Sequence, residues 1–241
     1  ICPEIRTSDW FITWGWSIHQ GEALGIIKRV TRVPRRKKYR KAVIILRPDS
    51  FRFYQFADEA RINSEYVRQI SALCRRLEEL EIPSLLRFHP STSSQTKTRL
   101  ISVISEFLHV QVQSDRRNLR RLVSEGYLPV FTYDSTGMLE MASGQSLFFA
   151  FFPDGVDHIR EEFQGNYEAL RRGGLLDLEA DVAAKNIESL LVIEPDNQRT
   201  YDLAIGTFSS NLVSKASFKV WRIAKTLRRE WRTYRNSELE R

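Results

Sequence analysis

Two short patches combine residue types that can hold a phosphate: Arg87-Phe88-His89-Pro90 and Tyr133-Asp134-Ser135-Thr136. Each closes a run that reads as a buried strand, and each opens into a polar loop. Ser84 to Phe88 leads into His89, and Tyr127 to Thr132 leads into the second patch. Pro83 and Pro129 are expected at or just before the strand entries, where a missing N–H does least harm. Ligands of open α/β sheets bind beyond the carboxyl ends of strands. A histidine on one such end and a Ser-Thr pair on another can therefore close on one phosphate.

The chemistry of each patch follows from its residue types. A helix starting after Ser135-Thr136 presents unpaired N–H groups and the positive end of a dipole, which suit an anion. Ser135 and Thr136 add hydroxyl donors, and Gly137 lets a ligand approach the backbone. The plainer reading of the same residues is N-capping by Ser or Thr. Glu140 lies four residues after Thr136. It misses the capping-box register, which puts an acid three residues after the cap. It shares a helix face with Thr136, where it could accept hydrogen bonds from ribose hydroxyls. His89 could bind a diphosphate or protonate a leaving phosphate oxygen. Its plain reading is a structural histidine at a strand end, with Pro90 fixing the turn.

Arg47-Pro48-Asp49 follows the first strand of the sheet, in the same topological place. Arg47 could reach a phosphate or an acceptor, or simply pair with Asp49 at the surface. Asp154, Asp157, His158 and Arg160 follow a fully apolar strand and are candidate donor-sugar contacts. Asp115 and the Arg116-Arg117 pair read as solvated charge. No acidic pair has metal-ligand spacing, and no Gly-rich phosphate loop is present. No Ser-His-Asp or Cys-His arrangement is argued by spacing. Neither a metal nor a cofactor is expected.

These residues need elements to position them. From Lys41 onward strand and helix signals alternate. Ala42 to Leu46 is a β-branched run. Asn63 to Glu81 carries Tyr66, Ile70, Leu73, Leu77 and Leu80 on one helical stripe. Strands are expected at Ser84 to Phe88, Val110 to Val112, Leu128 to Tyr133 and Leu147 to Phe152. Helices are expected at Thr98 to Leu108, Leu119 to Glu125, Gly137 to Ser143, His158 to Arg172 and Glu179 to Leu191. Such alternation predicts an α/β fold, a Rossmann-like, doubly wound parallel sheet. Strand order is not readable from the pattern.

The chain has 241 residues, 42% of them hydrophobic, enough for one large domain with an appendage. It carries a net charge of +7, unevenly placed. Lys28 to Lys41 holds nine basic residues and no acid; Lys215 to Arg235 holds eight against Glu230. The middle is therefore net acidic, which argues against nucleic acid as a partner. The basic ends suit an anionic membrane surface or a solvated tail. Ser209 to Arg235 is expected to form a long C-terminal helix with an apolar seam of Ile223, Leu227, Trp231 and Tyr234. No apolar run reaches the ~20 residues of a membrane span. Two cysteines, Cys2 and Cys74, fit a reducing compartment. With no signal peptide and no starting methionine, the expectation is a cytoplasmic fragment of a longer protein. Its units are expected at 1–40 (an aromatic strand and basic connector), 41–195 (the Rossmann-like domain) and 196–241 (a basic helical extension).

One ordered set of motifs adds a family likeness: Phe11-Ile12-Thr13-Trp14-Gly15-Trp16, Arg87-Phe88-His89-Pro90, Tyr133-Asp134-Ser135-Thr136, Leu139-Glu140, and Tyr167 to Leu170 before Gly173-Gly174. It resembles the carboxyl half of a transferase family of bacterial surface-carbohydrate gene clusters. That family is more distantly similar to CDP-glycerol glycerophosphotransferases and to bacterial sialyl- and polysialyltransferases. The resemblance implies the carboxyl-terminal domain of a GT-B glycosyltransferase fold, with an amino-terminal domain missing here. It implies a nucleotide-sugar donor and a carbohydrate or lipid-linked acceptor. The donor phosphate would fall to His89, Ser135, Thr136 and Gly137, with His89 catalytic. Glu140, Arg47 and Arg160 would lie on the ribose and sugar side. The expected reaction is metal-independent sugar transfer in surface polysaccharide biosynthesis, on the inner face of the membrane. Its rivals are a CDP-polyol phosphotransferase, a nucleotide-sugar epimerase of similar fold, and a non-catalytic nucleotide- or membrane-binding scaffold.

Overall fold

The computed structural model describes residues 11–13, 21–23, 38–48, 59–115, 117–157, 159, 161–192 and 195–212. Two short strands near the start, β1 (Phe11–Thr13) and β2 (Gly21–Ala23), pair in parallel as a sheet of their own. From Lys41 the expected alternation appears: β3 (Lys41–Ile45), α1 (Glu59–Glu79), β4 (Ser84–Arg87), α2 (Ser94–Ile104), β5 (Val110–Val112), α3 (Leu119–Ser124) and β6 (Tyr127–Phe131). There follow α4 (Thr136–Ser143), β7 (Phe149–Phe151), α5 (Glu161–Arg172), β8 (Leu176–Asp177), α6 (Ala180–Leu191) and α7 (Pro195–Leu212).

β3 to β8 form one six-stranded, all-parallel sheet in the order β5-β4-β3-β6-β7-β8. Counted from β3, this is the 3-2-1-4-5-6 order of the Rossmann-like doubly wound fold. A sheet covered by helices on both faces needs continuous apolar strands. Ala42 to Ile44, Tyr127 to Phe131 and Phe149 to Phe151 are accordingly buried at every position.

The helices supply the covering layers. Tyr66, Ile70, Leu73, Cys74 and Leu77 line the buried stripe of α1. Burial alone pushes the Cys74 thiol up to about 12. On α5, Tyr167 and Leu170 face the core beside Ile159. Gly174, in the left-handed region at φ 68°, ends α5. Leu175 N donates to Leu170 O and Gly174 N to Arg171 O, so the Gly-Gly pair closes a Schellman cap. Gly173 has a second reason: a Cβ there would lie 2.5 Å from Ala204 Cβ of α7.

That contact marks a difference from the sequence reading, in which the basic extension begins at 196. Residues 195–212 form a helix packed on α5 and α4, with Ala204, Ile205 and Phe208 buried. Phe208 meets Tyr167 edge-on at 5.2 Å and Phe148 at 6.0 Å. Asn166 Nδ2 donates to the carbonyls of Thr207 and Phe208. Ser209 is buried against the side-chain amide of Gln145, so it belongs to this packed helix. The expected seam of Ile223, Leu227, Trp231 and Tyr234 lies outside the described residues, as does most of the first basic tract.

Pro129 also departs from expectation. It is the third residue of β6 rather than its entry, opposite Val43. Pairing of β6 with β7 starts only at Val130, so Pro129 has a strand neighbour on one side. That is a position where proline is tolerated.

Candidate functional site

In the 3-2-1-4-5-6 order the chain reverses direction across the sheet between β3 and β6, and ligands of such sheets bind beyond the carboxyl ends at that switch point. β4 flanks β3, and β7 flanks β6. The ends of these four strands place His89, Arg47, Ser135 with Thr136, and Asp154 along one edge. Adjacent strands lie about 4.8 Å apart, so the ends of β4 and β6 stand roughly 10 Å from each other across β3.

The β4 end is a turn. Thr92 N donates to His89 O at 2.9 Å, with Pro90 at the second turn position, where its fixed φ is pre-set. His89 Nδ1 accepts from Ser91 N at 3.2 Å and lies 2.7 Å from Ser91 Oγ. Its role as acceptor leaves the neutral ring's proton on Nε2. Ser93 then caps α2, accepting from Thr96 N at 3.2 Å, and no acid sits in that helix's first turn. Thr92 is buried, and its hydroxyl has no partner among the described residues.

The β6 end is more closed. Ser135 is buried and is the N-cap of α4, accepting from Met138 N at 3.2 Å. Thr136 is exposed at the first helical position. Gly137 has a packing reason: a Cβ there would meet Phe131 Cε1 at 3.2 Å. Glu140 is half-buried one turn further on. Tyr133 is half-buried, and desolvation raises its phenol against the opposing hydrogen bond of Ser135.

Between them lies a cluster centred on Arg47. Asp49, the expected partner, lies outside the described residues; the guanidinium instead pairs with Asp154, beyond β7. The two reach each other over the end of β6. The guanidinium also stacks 4.0 Å from the centroid of the Tyr66 ring. Arg47 Nε is buried without a hydrogen-bond partner among the described residues.

Hydrogen counting orders the polar chain beneath it. Thr132 Oγ1 donates to Ile45 O at 3.0 Å, which uses its only hydrogen. The 2.7 Å contact between Tyr66 and Thr132 is therefore donated by the Tyr66 hydroxyl. That hydroxyl in turn accepts from Arg47 N at 3.1 Å. Burial, the largest influence, holds the Tyr66 phenol well above its ordinary value despite its hydrogen bonds with Thr132 and Arg47.

Sequence reasoning missed Tyr66 and Thr132. Tyr66 reads as one apolar member of a helical stripe; the signal that could have exposed it is a phenol on a fully buried face, which needs a partner. Arg160 and His158 lie outside the described residues. Asp115 and Arg117 stay at the surface but are not merely solvated. Arg117 bridges Asp115 and Glu125, and the Arg117 hydrogen bond holds the Asp115 carboxyl well below its ordinary range. Among the described residues no group of three or more His, Cys, Asp or Glu gathers around a possible cation, and no helix is long and apolar enough to cross a membrane.

The described residues thus define a doubly wound, all-parallel α/β domain, with a histidine turn, an arginine and a serine-capped helix start at its switch point. Over residues 2–191 the chain matches the family model of the LIC12162 family transferase, and it belongs to that family. Among solved structures it is similar to a Listeria monocytogenes protein described as a candidate UDP-N-acetylglucosamine 2-epimerase, at 14% identity and a TM-score of 0.47, over 83% of this chain and 50% of that one. It is also similar to Staphylococcus aureus MnaA in a co-structure with UDP, at 14% identity and a TM-score of 0.45, over 80% and 46%. The chain thus spans about half the length of these solved structures. No curated protein sequence matches it.

Proposed function

We propose that the carboxyl edge of this sheet binds the phosphates of a nucleotide-activated sugar, and that the protein transfers the sugar in surface polysaccharide biosynthesis without a divalent metal. Membership of a transferase family supplies the reaction class. The observation that carries the reading is the strand order, which sets His89, Arg47 and the Ser135-Thr136 helix start on neighbouring strand ends at one switch point.

In this reading the sugar–phosphate bond breaks as an acceptor hydroxyl oxygen bonds to the anomeric carbon and its proton passes to a general base or water. The electron pair leaves with the nucleoside phosphate, and the demand on the protein is to neutralise that charge. His89 Nε2–H, the Thr136 hydroxyl and the N–H groups opening α4 supply donors. By the family resemblance Glu140 would serve the ribose, and Arg160, outside the described residues, the sugar. The acceptor, carbohydrate or lipid-linked, would be met by a further domain, and the basic carboxyl-terminal segment would rest on an anionic membrane face.

A thermal-shift panel of CMP, CDP, UDP, GDP and TDP tests the reading, since a ligand of the native state raises stability as ln(1 + [L]/Kd). One diphosphate or monophosphate is expected to raise the melting temperature equally with and without EDTA. No shift from any nucleotide would overturn the reading, and a shift abolished by EDTA would overturn its metal independence.

A further inference from the structure

We propose that Arg47 is an anion receptor whose resident counter-ion, the Asp154 carboxylate, is exchanged for a ligand phosphate, with Tyr66 and Thr132 as positioning residues. The inference rests on the reading that this edge takes a phosphate-bearing ligand, and adds how the site is kept when empty.

Three observations carry it. First, the pair is unequal: the Arg47 side chain is 12% exposed and that of Asp154 29%. The guanidinium is stacked on Tyr66, and its backbone N–H is tied to the phenol oxygen. The carboxylate sits in the Phe152–Gly155 turn, closed by Gly155 N donating to Phe152 O. Of the two charges, the carboxylate can return to water at smaller cost.

Second, Arg47 is not saturated. Its Nη1 serves Asp154, while the buried Nε donates to nothing among the described residues. A guanidinium is a fork, and an oxyanion that takes Nε and an Nη together satisfies both. A phosphate brings more charge than a carboxylate and an oxygen for each prong.

Third, the place fits. Arg47 stands at the end of β3, between the His89 turn and the Ser135 cap. A phosphate there would meet donors on both sides. Tyr66 and Thr132 fix the direction of Arg47 through one chain of hydrogen bonds ending on Ile45 O. Asp154 then acts as a placeholder: it neutralises the guanidinium in the empty state and competes with the incoming anion.

Competition of this kind has a sign that a structural ion pair lacks. Removing a purely structural partner lowers stability and leaves ligand affinity unchanged. Removing a competitor raises affinity. The test is isothermal titration of the 241-residue chain with inorganic pyrophosphate, alongside its melting temperature. Asp154→Asn is expected to bind pyrophosphate roughly tenfold more tightly, a coupling of ordinary size. Arg47→Met is expected to weaken binding by a similar factor, and Arg47→Met with Asp154→Asn to show no gain over Arg47→Met. Tyr66→Phe, which keeps the stacked ring, is expected to weaken binding less than Arg47→Met. Should Asp154→Asn not melt cooperatively, Asp154→Ser is read in its place. Unchanged or weaker binding by Asp154→Asn, or a gain that survives loss of Arg47, would overturn the exchange while leaving the phosphate site standing. No pyrophosphate binding by the wild-type chain or by Asp154→Asn would overturn both.

Discussion

The two edges of the same sheet differ in how completely their polar groups are closed. At the amino edge, Glu78 of α1 accepts from the backbone N–H groups of Leu108, His109 and Val110 at 2.8, 2.8 and 3.1 Å. Ser84 N donates to His109 O, Ala42 N to Pro83 O and Arg40 N to Gly126 O. Ser146, just before β7, has a buried hydroxyl with no hydrogen-bond partner among the described residues, and Arg76 Nε in the last turn of α1 has only its ion pair with Asp181. At the carboxyl edge Arg47 Nε, Thr92 Oγ1 and Gln113 Oε1 are all buried without partners among the described residues. Buried polar groups are normally hydrogen-bonded, so a concentration of exceptions asks for a cause. The amino edge closes more of its polar groups on the protein itself than the carboxyl edge does.

The contrast predicts where substitutions act. The largest effect is expected from His89→Ala. The imidazole stands in an ordered turn but contributes no core packing, so melting should hardly move. Losing one hydrogen bond to a charged ligand costs about 1.5–3 kcal/mol, on the order of tenfold to a hundredfold in nucleotide affinity. Titration calorimetry with the nucleotide selected by the thermal panel measures it. A fall in melting temperature with affinity unchanged would move His89 to the structural side.

Glu78→Gln is the converse experiment at the amino edge. It weakens three hydrogen bonds to a carboxylate, and the clamp is only partly buried, so about 2 kcal/mol of stability is the expected scale. Nucleotide binding should be untouched. The same clamp gives a pH signature. Desolvation raises the Glu78 carboxyl, but the hydrogen bonds from Leu108, His109 and Val110 outweigh it and leave it below its usual 4.5. Its contribution is therefore present above that usual value and is lost as the pH falls through the lowered one. Wild-type chemical denaturation should weaken more steeply than Glu78→Gln across that acid window, and parallel curves would refute the clamp.

Much of this contrast was already written in the residues, but not all. The alternation from Lys41 to Leu191 sufficed for a doubly wound parallel sheet, because helix and strand periods differ and each segment keeps one. β8 was invisible: two residues between a Gly-Gly cap and the next helix carry no period. Strand order was invisible too, since it depends on which way each crossover turns. His89 and Ser135 were legible because unusual residue types stand at strand ends. Tyr66 was hidden inside an apolar stripe, and the Asp154 partner of Arg47 lies more than a hundred residues away, with |i−j| of 107. The packing of α7 on the domain was not legible, because its apolar positions are few and small residues such as Ala204 and Gly173 make its seam.

A smaller effect separates two neighbours on α4. Ser135→Ala removes an N-cap whose oxygen already accepts from Met138 N, and about 1 kcal/mol of stability should go with it. Thr136→Ala, at an exposed position, should leave stability within about 0.5 kcal/mol and weaken nucleotide binding. Closed and open valences then sit side by side on one helix start. If the two variants behaved alike in melting and in binding, the distinction between finished and unfinished groups would fail at this site.

The smallest effect is the sharpest in sign. Thr92 is 5% exposed, its N–H is used by His89 O, and its hydroxyl has no partner among the described residues. An unsatisfied buried hydroxyl pays desolvation without return, and an apolar group of the same shape removes that penalty. Thr92→Val should therefore raise the stability of the free protein, by a few tenths to about 1 kcal/mol. If the hydroxyl is kept for a ligand at the His89 turn, the same substitution should weaken nucleotide binding. Gain in one measurement and loss in the other is the signature of a group held in reserve. A gain in stability with unchanged binding would make Thr92 a packing defect. A loss of stability would mean that water already satisfies the hydroxyl, and this part of the carboxyl edge would then be as closed as the amino edge.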